Sequence, residues 1–421
     1  MLSKEEMKNL FKRLFPICRS ITGNGLKETI EIIGEYVNLL YGHKVPSGTE
    51  VFDWTIPDEW NIRDAYIEHD GYKIVDFKKN NLHIMNYSEP INGYFSFDKL
   101  FGHLYIGKGK GVIPYKTSYY KRDWAFCITS KQYDEIYMRR KKGNFKVVID
   151  SDLKSGNLYY GEAIINGSSA KEFLFSTYCC HPSMANNELS GPILSILVYK
   201  YLKSLGNLNY SYRFSFAPET IGTLAYLHDF ERWKSFKKNL IGGLVLTQCA
   251  SPEKIQYKES KEKDSIVNRI FRNLDIQRYN TRAFSPVGSE ERQYNSPKFN
   301  FPVGVLSREV NCNYKEYHTS LDNLEFINIE KLLEVFELVK DFIYVLENNK
   351  TYINVKGYGE PQLSKYDLYD DLSQEGIEAI VWILNCSDGM TDLLSISNSS
   401  GIKFKTIVHY AGILEHKGVL K

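Results

Sequence analysis

No run of about 18 apolar residues occurs in this 421-residue chain, which excludes a hydrophobic membrane-spanning helix. The opening segment MLSKEEMKNLFKRLF reads as a charged amphipathic helix without an apolar signal core, so a cytoplasmic location is expected. There is no CxxC pair. The seven cysteines (Cys18, Cys127, Cys179, Cys180, Cys249, Cys312 and Cys386) are odd in number and scattered, which argues for free thiols in a reducing compartment rather than a disulfide framework. Neither sign of charge dominates. The 53 Lys and Arg against 51 Asp and Glu leave a formal net charge of +2, which removes any global electrostatic case for nucleic acid or membrane binding. Internal repeats and low-complexity tracts are also missing. What is present is an ordinary globular composition, 43% hydrophobic and 25% charged, with many aromatics in 31 Tyr and 23 Phe. The length exceeds that of one compact domain, and two or three are expected.

The pattern along the chain divides it into blocks. Residues 1 to about 45 read as helical: Met7, Leu10, Phe11 and Leu14 recur at helical spacing, as do Ile30, Ile33, Tyr36 and Leu40, with the Gly-rich turn CRSITGNGL between them. From Val45 to about Tyr160, short alternating aromatic segments such as VFDWTIP, NLHIMNYS, VIPYKTSYY and WAFCITS are punctuated by Gly, Pro and Asn, the pattern of a β-rich block. From Lys171 to about Asn348, strand-like runs (EFLFSTYCC, SYRFSFAPE, LIGGLVLTQ, FPVGVLS) alternate with helix-like ones, among them GPILSILVYKYLKSL and TIGTLAYLHDFERW. That order predicts a mostly parallel sheet covered by helices. After a linker at Gly357 to Pro361, three short helices ending in GVL match a winged-helix or helix-turn-helix unit.

Candidate chemistry gathers at the strand ends, where open α/β sheets place their sites. His181 follows an apolar run, and imidazole is the commonest metal ligand; the alternative is a structural hydrogen bonder. Asn186, Asn187 and Glu188 share its loop, either as ligands or as a turn and cap cluster. Glu219 ends the run FSFAPE and suits a general base or a helix-capping carboxylate. The loop SPVGSEERQYNSP carries Glu290, Arg292 and Tyr294, with Arg292 suited to gripping a carboxylate in a fork. His318 lies in a polar loop before a long helix expected from about Ile327, and Asp322 and Asn323 are placed to fix that loop or cap the helix. The vicinal Cys179 and Cys180 are read as buried filler on opposite faces of a strand. The ring-rich segment FDWTIPDEWNIRDAYI is read as packing, with a lid over the site as the alternative.

In order and spacing, CCHPSMANNELSG, APETIG, GSEERQYNSP and EYHTSLDNL resemble a bacterial aminopeptidase-like family of the zinc exopeptidase superfamily, as do LFPICRSITGNG, NNLHIMNYSEP and IPYKTSYY nearer the start. The resemblance covers nearly the whole chain. It implies a zinc-exopeptidase-like mixed sheet flanked by helices (residues 1–50 and 160–350), an inserted β-rich domain (51–159) and a winged helix (352–421). Members are often described as polysaccharide-biosynthesis proteins. Carried over residue by residue, His181 and His318 match metal ligands and Glu219 matches the general base. Asn187 falls where the superfamily has a carboxylate bridging two metals, and Thr220 and Thr247 fall at or near two further acids. The wider subfamily resembles this chain in missing the last two, but it keeps Asp in an NDNLSG loop where this chain reads NNELSG.

An amide oxygen is a weaker ligand than a carboxylate, and two dications side by side need anionic ligands. The expectation is therefore one divalent ion, zinc, on His181 and His318 with oxygen from Asn187 or Glu188, or from Glu290 reaching in. Glu219 would be the catalytic base, and Glu290, Arg292 and Tyr294 would bind substrate. The function this implies is a metal-dependent hydrolase of the aminopeptidase or amidase type acting on a peptide or an amidated sugar. The alternative is an inactive binding protein of surface polysaccharide biosynthesis, with the winged helix as interaction module. The modest basic face of 352–421 (Lys403, Lys405, His409, Lys417, Lys421) leaves nucleic acid a minor candidate partner; no membrane partner is expected, and homo-oligomerisation is left open.

Overall fold

The computed structural model describes residues 2–40, 43–309, 314–359, 361–366, 368 and 373–421. Two compact units are present: Met1–Lys261 with Thr281–Phe336, and Glu262–Asn280 with Glu337–Lys421. Six of the cysteines are free thiols, as expected; Cys312 lies outside the described residues.

The framework of the first unit is an eight-stranded mixed sheet. Its order is Leu39–Leu40, Gly161–Ile165, Ser211–Ala217, Glu172–Tyr178, Leu240–Leu246, Val303–Ser307, Ile255–Lys258 and Tyr279–Arg282. The four middle strands, Ser211–Ala217 through Val303–Ser307, run parallel, while the neighbours on both sides are antiparallel. Parallel strands are buried on both faces, and Glu172–Tyr178 is buried at every position. The chain leaves Glu172–Tyr178 first to one side and then to the other, so this strand lies where the winding reverses, the place where such sheets leave a crevice at the carboxyl ends.

The helix after that strand, Ser190–Leu205, is apolar almost all round and correspondingly buried. Its start is pressed onto the sheet. A Cβ at Gly191 would lie 2.3 Å from both the Leu246 carbonyl oxygen and Thr177 Oγ1, so only glycine lets the helix begin there. A wide π-type turn, Ala185–Leu189, precedes it. Such turns are frequent at functional sites.

The inserted block contains a four-stranded antiparallel sheet in the order Tyr72–Asp76, Glu59–His69, Phe145–Lys154, Ile91–Phe95. It also holds a helix that the alternating pattern did not predict, Ser130–Arg139, started by a Thr129–Gln132 capping box.

Three other expectations are corrected. Leu39 and Leu40 do not continue the helix Asn24–Gly34; they pair as an edge strand with Ala163 and Glu162, sheet pairing overriding a helical spacing. TIGTLAYLHDFERW is two helices, Ile221–His228 and Phe230–Asn239, because the Asp229 side chain caps the second by accepting from Arg232 N. VIPYKTSYY forms no strand; it is a loop held by isolated bridges, among them Pro114 with Thr319.

The second unit contains helices Gln374–Cys386, Leu393–Ser400 and Phe404–His416, with a small antiparallel pair, Thr351–Ile353 and Asp388–Asp392. Ile380, Ile383, Leu394, Ile396, Ile407 and Leu414 are buried, as their spacing requires. Helix Ile266–Asn273 belongs to this unit, although it lies within the α/β stretch of the sequence. Among the described residues, no helix is long and apolar enough to cross a membrane.

Candidate active site

Four loops meet at the carboxyl ends of the parallel strands. The first follows Glu172–Tyr178 and carries Cys180, His181, Asn187 and Glu188. His181 Nδ1 donates to Glu188 Oε2 at 2.8 Å, which directs Nε2 the other way, to within 3.6 Å of Glu219 Oε2. Burial works against a charged His181. Glu188, followed by Glu219, outweighs it and raises the imidazole above its ordinary value.

Glu219 comes from the loop after Ser211–Ala217. Its carbonyl accepts from Ile221 N at 2.8 Å across Thr220, whose φ is 62° and ψ −75°. This is the rare, strained form of γ-turn, and it holds the acid at the mouth of the helix. Burial pushes the Glu219 carboxyl up in pKa, against the pull of His181 and Arg292.

The third loop, before Val303–Ser307, supports that turn. Glu290 Oε1 accepts from Thr220 N at 2.9 Å and from Thr223 Oγ1 at 3.2 Å, while Ser289 Oγ donates to Oε2 at 2.6 Å. Burial, aided by Glu219, raises Glu290 to about 8. Arg292 donates from Nε to the Ser289 carbonyl at 3.1 Å and from Nη2 to Thr220 Oγ1 at 2.9 Å.

The fourth loop carries His318, with φ 52°; its ring centroid lies 5.1 Å from that of His181. Burial, followed by His181 and Lys116, lowers His318 to about 2, so the ring is neutral and keeps a lone pair. Asp322 ties this loop to the first. Its carboxylate accepts from Asn186 N at 2.6 Å and Asn187 N at 2.8 Å, and its carbonyl from Ala185 N at 3.0 Å.

These groups border a cavity of about 620 Å³. His181, Glu219, Arg292 and His318 line it; Glu290 and Tyr294 do not. Glu290 is placed behind Thr220 as a brace and does not reach the histidines. Tyr294 lies in the core, 0% exposed, with its hydroxyl 3.0 Å from Ser176 Oγ. Both were expected to bind substrate. A short helix, Glu291–Tyr294, turns them inward and leaves Arg292 outside.

Cys179 is buried filler, but Cys180 also faces the cavity, with its thiol raised well above the ordinary value by burial. Trp54 lines the cavity as well, whereas Trp60 of the same segment is packed against Tyr87. Two further residues were not singled out from the sequence. Tyr115 packs edge-on against both histidines, at 5.2 Å each. Arg19, fully buried, donates to the His181 carbonyl at 3.2 Å and to Thr29 Oγ1 at 3.0 Å, placing a cation behind the site near Glu188. The only signal for Arg19 was its place in the Gly-rich turn, and for Tyr115 its loop of aromatics.

The donors can be weighed against a metal. Cys180, His181 and Glu188 have possible ligand atoms within 4.8 Å of one another, but His181 Nδ1 is already bonded to Glu188. Two buried acceptor oxygens, Asn187 Oδ1 and Glu188 Oε1, have no hydrogen-bond partner among the described residues. Such orphaned acceptors are costly, and a cation satisfies them. Glu188 Oε1 belongs to the carboxylate on the Nδ1 side of His181, so the donor set for one cation is the two imidazoles with Asn187 Oδ1. It does not fit two: Thr247 Oγ1 donates to Tyr178 OH at 2.7 Å, and Thr220 is occupied with Arg292.

Residues 8–349 match the family described as Domain of unknown function (DUF4910), and residues 350–421 match a winged helix-turn-helix family. A Clostridium acetobutylicum protein described as a candidate polysaccharide biosynthesis protein with aminopeptidase-like domain is 43% identical over 99% of this chain and 96% of its own. A crystal structure of a candidate peptidase from Clostridium acetobutylicum superposes with a TM-score of 0.91 at 42% identity, covering 99% of this chain and 96% of that one. A zinc aminopeptidase from Bacillus subtilis shares the fold, with a TM-score of 0.53 at 12% identity over 81% of this chain and 95% of that one.

Proposed function

The chain belongs to the DUF4910 family, and on that premise we propose that it is a metal-assisted amide hydrolase of the aminopeptidase type, acting on a peptide or an amidated sugar. The observation that carries this reading is the approach of Glu219 Oε2 to within 3.6 Å of His181 Nε2 inside a cavity, with a second, neutral imidazole beside them.

His181 and His318, with oxygen from the Asn187–Glu188 loop, are the residues that would hold one zinc ion. When bound, such an ion supplies Lewis-acid polarisation of an amide carbonyl. The chain's own groups do the rest. Glu219 takes the proton of the attacking water on its carboxylate and returns it to the leaving nitrogen. A carboxyl raised by burial is a better proton acceptor than an ordinary one and still acidic enough to pass the proton to the leaving nitrogen. Glu188 fixes the His181 ring so that Nε2 faces the substrate side. Glu290 and the strained turn at Thr220 keep the Glu219 backbone in place. Tyr115, Trp54 and Tyr120 form part of the cavity lining.

The test is elemental analysis of the purified chain together with a panel of amide substrates. Glu219→Gln is expected to lower kcat by at least about 100-fold with metal content unchanged. Absence of bound metal together with absence of amide hydrolysis would remove the proposal.

One observation favours a second reading, a non-catalytic binding protein of polysaccharide biosynthesis. Asn187 is neutral, and its Nδ2 donates to Tyr178 OH at 3.2 Å. Gain of both metal and hydrolysis in Asn187→Asp, from a wild type with neither, would select that reading.

A further inference from the structure

The cavity lining holds more cations than carboxylates. It contains one carboxylate, Glu219, and two full cations, Lys116 and Arg292. Glu219 is already engaged with His181. Neither cation forms an ion pair with a carboxylate among the described residues. Arg292 uses two of its five N–H groups on neutral oxygens, Ser289 O and Thr220 Oγ1, which orient it and leave three donors. The Lys116 ammonium lies 5.5 Å from the Tyr105 ring centroid.

A free α-ammonium entering here would meet two like charges, and the one acid available to receive it is the group that moves the proton. A carboxylate would instead gain charge-assisted hydrogen bonds from Arg292 and Lys116. Part of the lining is aromatic. Trp54 and Tyr120 meet at 5.5 Å with their rings inclined by 64°, and they stay 41% and 54% exposed. Large exposed rings at a cavity mouth offer flat apolar faces to a ligand ring. They also attract cations, but Lys116 and Arg292 oppose a cationic ligand in the same space. About 620 Å³ is ample for one ring with an acyl amide and an acid group.

We propose that this cavity selects an anionic, ring-bearing amide of the carboxylated N-acyl sugar class, and discriminates against peptides with a free amino terminus. The proposal rests on the amide-hydrolase reading only for the chemistry after binding. Arg292 and Lys116 hold the carboxylate, Trp54 and Tyr120 hold the ring, and the acyl amide is left toward Glu219 and the histidines.

The test is calorimetric titration of the full chain with three probes: N-acetylmuramic acid, its uncharged counterpart N-acetylglucosamine, and leucinamide. The acid is expected to bind at least about tenfold tighter than the neutral sugar at low salt, with leucinamide weakest. Arg292→Ala and Lys116→Ala are each expected to shrink the preference for the acid, read as the ratio of its affinity to that of the neutral sugar. Circular dichroism establishes that both variants are folded. Equal affinity for the two sugars, tightest binding of leucinamide, or no binding of the acid at millimolar concentration overturns the proposal. Hydrolysis is read separately: selective binding without turnover leaves the anion preference standing and counts against the hydrolase.

Discussion

At position 187 an amide stands where the resemblance sets a carboxylate, and the carboxylate appears one residue later, at 188. The displacement changes its task. Glu188 bonds the rear nitrogen of His181 rather than facing the cavity, and the buried Arg19 offsets its charge. The whole loop is then fixed by one side chain from far along the chain. Asp322 receives both Asn186 N and Asn187 N. Asp322→Asn turns an amide donor toward one of those N–H groups. At pH 8, above the value of about 7 to which burial raises the Asp322 carboxyl, the substitution is expected to cost about 2–3 kcal/mol in urea unfolding, since hydrogen bonds to charged groups contribute at that level and an unpaired buried donor adds its own penalty. Unchanged stability would show that the two loops are held by other means. The sequence placed Asp322 as a fixer of the His318 loop or a helix cap, but not as the group that ties that loop to Asn186 and Asn187. Nothing local reveals that tie, because its partners lie some 136 residues away.

Between elements, a dense polar junction lies away from the cavity. Glu162 on Gly161–Ile165 is bonded by Arg213 of the neighbouring strand at 2.6 Å, by Tyr226 OH at 2.7 Å and by Arg232 of helix Phe230–Asn239 at 3.2 Å. Burial would raise its carboxyl, but Arg232 and Arg213 prevail and hold it below the ordinary value of 4.5. A lowered carboxylate stabilises the fold above its unfolded value, and that contribution is lost as pH falls through the lower folded value. Glu162→Gln is therefore expected to cost about 3 kcal/mol or more at pH 7 by urea unfolding, with the gap to the parent chain closing as pH drops below about 4.5. A gap independent of pH would mean that the cost is packing alone. The elements themselves were readable where periodicity was long or apolar, as in Glu172–Tyr178 and Ser190–Leu205. They were misread where a neighbour decided the outcome. Leu39–Leu40 and the loop 112–120 took their shapes from sheet pairing and from bridges to the His318 loop.

For the molecule as a whole, the winged-helix unit raises the question of nucleic acid. Residues 352–421 contain six lysines, no arginine and nine carboxylate side chains, a net of −3 with His neutral. Lys405, one of the few cations on helix Phe404–His416, is 3.6 Å from Asp341. A unit of this charge has little to neutralise phosphates with. The full chain is expected to bind duplex DNA no tighter than about 10 μM at 0.15 M salt, as read by fluorescence anisotropy. Tighter, steeply salt-dependent binding would assign the unit to DNA. The winged-helix architecture, a matter of helix order and spacing, was legible in advance.

Glu219, His181 and His318 could be picked out in one dimension because each follows a strand or precedes a helix, and residue type with strand-end position is a local signal. The order of strands and helices likewise came from local apolar periodicity. The inward turn of Glu290 and Tyr294, the placing of Arg19 behind His181 and the use of an inserted loop as cavity wall could not be read that way. Each depends on which distant backbone and side-chain groups complete a buried residue's hydrogen bonds and charge, and that is settled when the chain closes on itself and water is removed.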